Sequence, residues 1–176
     1  QEVILSGLAP DKGLYLPDSI TLENLAYLTQ EDLSYEDFVK TIFISLDQAS
    51  AKYVEDLAIY PGFENSPEPT LNELNDTTVV MELFHGPTKS FKDYALQPLG
   101  AIANRRLNEL GERGLVIVAT SGDTGSAAIQ AVKNSENIDI VVLHPANKVS
   151  EYQRKQMTSV IQDNVLNIAV EGSYDD

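Results

Sequence analysis

The spacing of apolar residues changes character near residue 75. In the first part of the chain, apolar positions recur every three or four residues. Thr21–Thr29 carries Leu22, Leu25, Ala26 and Leu28 on or near one face, and Phe38, Ile42, Leu46 and Ala49 repeat at helical spacing further on. The second segment opens at Ser34 with Asp37 three residues later, the arrangement of a capping box with a shorter reach than Glu would give. Turn-forming residues flank both helices. "GLAPDKGLYLPDSI" (7–20) is punctuated by Gly7, Pro10, Asp11, Gly13 and Pro17, and "PGFENSPEP" (61–69) is rich in proline. Both read as loops, the later one anchored by Phe63.

Beyond residue 75 short β-branched runs alternate with amphipathic stretches. "TVVMELF" (78–84), "LVIVAT" (115–120), "IDIVVLH" (138–144) and "VLNIAV" (165–170) read as strands. Between them lie a helix over Phe91–Leu110 with Gly111 as its stop, a small-residue helix over Ser126–Asn134, and a helix that begins with the Ser150–Gln153 capping box and runs to about Ile161. Strand–helix alternation of this kind predicts a parallel sheet covered by helices, a three-layer α/β unit. The organisation expected is therefore a helical and loop region over 1–75, followed over 76–176 by the first part of an incomplete α/β domain. With Gln1 as first residue and "EGSYDD" directly after the last strand, the chain reads as a fragment of a longer protein.

Two stretches carry candidate chemistry. In "ATSGDTGSAA" a buried strand ends, a loop with two glycines turns, and a helix begins. Backbone N–H groups and the positive end of the helix dipole converge at such a junction, which suits a carboxylate or phosphate. Ser121 and Thr124 add hydroxyls, Gly122 and Gly125 permit close approach, and Asp123 lies between them. The same pattern also serves as a plain strand-to-helix turn. It is neither the P-loop nor the three-glycine dinucleotide fingerprint. In "FHGPTKSFKD", His85–Gly86–Pro87 form a turn, Thr88 or Ser90 is a candidate cap, and Lys92 falls in the first helical turn beside Asp93. An ammonium there opposes the helix dipole, so burial and dipole both favour the neutral, nucleophilic amine. The alternative is a solvated lysine paired with an acid. Lys89 is the rival nucleophile, but the turn residues around it predict exposure.

Charge and composition narrow the classes. With 27 acidic and 12 basic residues the net charge is −15, which repels nucleic-acid backbones. No apolar run is long enough for a membrane span. The absence of cysteine removes disulfides, thiolate metal sites and a cysteine nucleophile, and His85 and His144 alone make a multi-histidine metal site an unfavoured reading.

In order and spacing, "GLAPDKGLYLP", "ELFHGPTKSFKDYALQ", "ATSGDTGSAAI", "VSEYQRKQMT" and "VEGSYDD" resemble the threonine synthases. These are pyridoxal-phosphate lyases of the tryptophan-synthase-β-like fold (fold type II), and the likeness covers essentially the whole chain. The resemblance implies pyridoxal 5'-phosphate as cofactor, a Schiff base on Lys92, and conversion of O-phospho-L-homoserine and water to L-threonine and phosphate. It implies that Ser121, Gly122, Asp123, Thr124 and Gly125 form the loop that embraces the substrate carboxylate. Asp123 stands where many relatives outside the threonine synthases carry an Asn facing the cofactor ring. Thr88, Ser90 and His85 become pocket residues, and Lys12 stands where the family often has Gly. A cytoplasmic enzyme is implied, with a homo-oligomer left open. Family members are more than twice this length, so this chain alone is expected to be inactive. The remaining part would grip the cofactor phosphate and face the pyridine nitrogen. A related phospho-lyase, a non-catalytic protein on the same fold and a phosphate-binding module without covalent chemistry are the alternatives.

Overall fold

The computed structural model describes residues 2–16, 33–46 and 51–172. The helix expected over 21–29, the end of the opening loop and Ala49 lie outside the described residues. The chain starts with a short helix, α1 (Glu2–Ser6), and a tight turn in which the Lys12 N–H donates to the Ala9 carbonyl. Lys12 sits there at φ 68, in the left-handed region that favours glycine. Helix α2 (Tyr35–Leu46) begins as its sequence predicts. Ser34 Oγ accepts the Asp37 N–H and donates to the Asp37 carboxylate. Helix α3 (Ala51–Val54) follows, burying Tyr53 and Val54.

The loop over 61–69 is tied down by an aromatic cluster. Phe63 packs against Tyr60 and Tyr94 with ring centroids 5.3 and 5.1 Å away. Tyr60 Oη donates to the Tyr94 carbonyl, and the Gly62 N–H donates to Gln97 Oε1. The loop thus lies against the long helix that carries Tyr94 and Gln97.

Strand β1 (Thr70–Asn75) then pairs antiparallel with β2 (Thr78–Glu82). This departs from the sequence reading, in which "TVVMELF" opens the parallel sheet. Strand β2 instead forms a separate two-stranded ribbon with a partner that carries no strand signal of its own. Leu71 and Leu74 are three apart and do not alternate, so "TLNELN" lacks the period-two pattern of a strand. The Asn75 side chain makes the turn by accepting from both the backbone and the hydroxyl of Thr77. The hairpin straddles the boundary expected at residue 75.

Helix α4 (Asp93–Leu110) ends at Gly111, which adopts φ 66 and closes the last turn with bonds to Asn108 and Leu107. Strand β3 (Gly114–Ala119), helix α5 (Asp123–Val132), strand β4 (Ile138–Pro145), helix α6 (Glu151–Thr158) and strand β5 (Val165–Val170) complete the described fold. The sheet is parallel with order β3-β4-β5. Ile138, Ile140 and Val142 alternate onto the face where Ile129 and Val132 of α5 and Met157 of α6 pack, forming the main core. On the other face Leu115 and Ile117 of β3 and Leu166 and Ile168 of β5 are exposed. The consequence for a site is positional. The carboxyl ends of β3 and β4 lead directly into the glycine loop and toward α6, where open α/β sheets gather their ligands.

Candidate active site

The turn before Lys92 is built around a buried acid. Asp93 is fully buried, and its two carboxylate oxygens accept the Thr88 N–H and the Thr88 hydroxyl, each at 2.9 Å. Burial pushes the Asp93 carboxyl above the usual carboxylate range, against the pull of its bonds to Thr88 and Ser90. Gly86 makes room for it: a Cβ at that position would lie 2.5 Å from Asp93 Oδ2. Ser90 Oγ accepts the Lys92 N–H, and the Ser90 carbonyl accepts the Asp93 N–H, which winds the chain into α4.

Lys92 is the N-cap of α4 and half-buried, with Nζ 4.9 Å from the centroid of the Phe91 ring. The adjacent acid does not offset it, since Asp93 faces Thr88. Among the described residues no carboxylate pairs with Lys92, unlike Lys40 and Lys155, which pair with Glu36 and Glu151. Lys89 is exposed, at φ 61, as the turn residues predict. His85 bonds through Nε2 to Glu82 and packs at a tilt against Phe84. With Lys89, it lines a groove of about 1110 Å³ beside the 61–70 segment, whose lining includes neither Lys92 nor the glycine loop. The structure therefore gathers Thr88, Ser90 and Lys92 in one turn and turns His85 toward a different surface.

The glycine loop is more internally bonded than its sequence predicts. Thr120 Oγ1, buried at the end of β3, accepts the N–H groups of both Gly122 and Gly125 at 3.0 and 3.1 Å. Those two amides hold the loop's shape, so they do not face a ligand. Helix α5 starts at Asp123, earlier than expected, and its N-cap Gly122 supplies no side-chain bond. The N–H groups of Asp123 and Thr124 have no acceptor among the described residues, so they are the amides open to an anion. Gly122 is required twice. Its φ of 149 disfavours a side chain, and a Cβ would lie 2.4 Å from the Gln153 side-chain carbon.

Helix α6 touches both stretches. Gln153 Nε2 donates to Asp123 Oδ1 at 2.5 Å, and Gln156 Nε2 donates to the Thr88 carbonyl at 2.9 Å. Met157, fully buried, backs Gly125, where an added Cβ would lie 2.8 Å from the sulfur. Residues three apart share a helix face, so one turn of α6 spans the lysine turn and the glycine loop. Sequence reasoning missed four contributors: Asp93 as the turn's staple, Thr120 as the loop's acceptor, and Gln153 and Gln156 as the bridge. The capping-box position of Gln153 was the one available signal, and it pointed only to a helix start. Among the described residues no group of three potential ligands could hold a metal ion, and no helix is long and apolar enough to cross a membrane.

Residues 1–55 match the family described as "Threonine synthase N terminus". A threonine synthase from Pseudomonas aeruginosa is 44% identical over 183 residues, covering 100% of this chain and 39% of that protein. Threonine synthase-like 2 from Xenopus laevis is 37% identical over 180 residues, covering 99% and 38%. Among solved structures, a PLP-bound threonine synthase from Brucella melitensis superposes with a TM-score of 0.85 at 36% identity, covering 99% of this chain and 39% of that one. Threonine synthase from yeast gives 0.83 at 31% identity, covering 99% and 38%. The chain thus spans about two-fifths of the length of the relatives it matches.

Proposed function

We propose that this chain, similar over its whole length to the N-terminal part of the threonine synthases, serves the same reaction: O-phospho-L-homoserine and water to L-threonine and phosphate. Catalysis is assigned to a polypeptide of the relatives' full length, of which these 176 residues span about two-fifths. A cytoplasmic location follows from the same family reading. The observation that carries the proposal is Lys92: half-buried at the start of α4, unpaired with any described acid, while the adjacent Asp93 is spent on Thr88.

The residues present fit pyridoxal phosphate. An amine without a carboxylate partner is available for covalent attachment, and an uncapped helix start is available for an acid group. When bound, the cofactor supplies an aldehyde for attachment to an amine and a ring that takes up electrons as substrate bonds break. Lys92 Nζ would be the amine that holds it, and the same amine would move protons at the substrate's side-chain carbons. The Asp123 and Thr124 N–H groups, with the hydroxyls of Ser121 and Thr124, bind the substrate carboxylate. Gly122 and Gly125 shape that loop through Thr120. Asp123, whose carboxylate accepts from Gln153 Nε2, would border the cofactor. Thr88 and Ser90 set the turn that aims Lys92, while His85, bonded to Glu82 beside a separate groove, is given no part in binding.

The likeness to threonine synthase-like 2 favours a second reading, a phospho-lyase on a related phosphorylated hydroxyamino acid. Product analysis of the complete polypeptide with pyridoxal phosphate and O-phospho-L-homoserine separates them. Equal amounts of threonine and phosphate support the first reading, and a keto acid with phosphate supports the second. No release of phosphate overturns both.

A further inference from the structure

Asp123 occupies an unusual electrostatic position. An acid in the first turn of a helix ordinarily turns back toward the free N–H groups there, because the dipole and the open donors both attract it. In α5 that would fill the space an incoming acid group needs and would place like charge against it. The observed carboxylate is instead bonded to Gln153, thirty residues further along the chain and on a different helix.

The Gln153 side chain is oriented from both ends. Its Oε1 accepts the Ser150 hydroxyl at 2.8 Å, and the same hydroxyl accepts the Gln153 N–H. With the oxygen engaged, the NH₂ end faces Asp123. A capping box works equally well with Glu at this position. A Glu would keep the Ser150 bonds but present an oxygen, with charge, to the Asp123 carboxylate. The capping role therefore leaves Glu and Gln equivalent, and only the contact with Asp123 distinguishes them. Gly122 lacks the Cβ that would drive this side chain away.

We infer that Gln153 is a positioning residue for substrate recognition: by drawing the Asp123 carboxylate onto α6 it leaves the Asp123 and Thr124 amides open to the carboxylate of an α-amino acid. This rests on the threonine synthase reading and adds to it the residue that lets an acid stand inside an anion-binding loop.

The test uses the complete polypeptide loaded with pyridoxal phosphate and titrated with L-threonine, followed by the change in the cofactor's visible absorbance. Gln153→Glu should weaken L-threonine binding about three- to tenfold, the loss of one hydrogen bond and the gain of a repulsion. KM should rise in step while kcat stays within about threefold, since the residue acts on binding and not on the reacting atoms. The discriminating step is a double-mutant cycle. In an Asp123→Asn background the new amide donates to the introduced carboxylate just as Gln153 donates to Asp123, so the effect of Q153E should shrink to about twofold or less. Thermal unfolding checks that each variant is folded. If Q153E does not fold, Gln153→Met, which keeps the stem but donates nothing, carries the same expectation for binding. Unchanged L-threonine affinity in Q153E, or an equal loss in both backgrounds, overturns the inference. No visible absorbance in the unsubstituted protein overturns the family reading and the inference together.

Discussion

Replacing Asp93 with alanine removes both oxygens that hold the turn before Lys92. The Thr88 N–H and hydroxyl, each 2.9 Å from that carboxylate, would lose their acceptors in a place where Asp93 is fully buried and Thr88 nearly so. An unsatisfied buried donor costs about 1–3 kcal/mol, so two cost about 2–6 kcal/mol before any relief. Part of that is offset, because burial already disfavours the charged carboxyl, which leaves a net loss of about 2–4 kcal/mol. Asp93→Asn keeps one acceptor and drops the charge, and should cost about 1 kcal/mol or less. Urea unfolding of the complete polypeptide measures both. The pH dependence supplies an independent check with a definite sign. The folded-state pKa of Asp93 is raised, so the folded protein binds its proton more tightly than the unfolded chain. The contribution of this group is fully present below the ordinary carboxylate pKa and is lost as pH rises through the raised value. The stability of Asp93→Asn relative to the parent should therefore improve as pH rises above the ordinary carboxylate range near about 4. An Asp93→Ala variant within about 0.5 kcal/mol of the parent would refute the claim that this acid organises the turn.

Two further substitutions probe separate pieces. Thr120→Val preserves shape but removes the acceptor for Gly122 and Gly125, so unfolding should show a loss of about 2–4 kcal/mol, and a change below about 0.5 kcal/mol contradicts the bonding. Lys12→Gly relieves a side chain held at φ 68 in an exposed turn and should raise stability by about 0.5–1 kcal/mol, whereas a loss by the same measurement would contradict the strain argument.

Those positions also mark what was legible in the sequence. Parallel strands such as Ile138–Pro145 announce themselves by apolar, β-branched-rich runs, and Gly111 and Ser34 announce helix ends by local chemistry alone. Strand β1 was hidden because its residues are exposed on both faces, leaving no hydrophobic alternation to read. The candidate lysine and the glycine loop were visible as motifs, since their backbone demands are local. Their bonding was not. Asp93 lies beside Lys92 in sequence but turns inward to Thr88, and Thr120 silences two amides that the glycine pattern offered to a ligand. The bridge through Gln153 and Gln156 joins residues 30 and 68 positions apart, a relation only the folded chain brings about.

The proposal turns on which amine would hold pyridoxal phosphate. The complete polypeptide, equilibrated with pyridoxal phosphate, reduced with borohydride and digested, can be mapped by peptide mass. The prediction is one pyridoxyl adduct at Lys92, absent from Lys92→Ala although Lys89 is intact there. An adduct on Lys89, or undiminished labelling of Lys92→Ala, would contradict it.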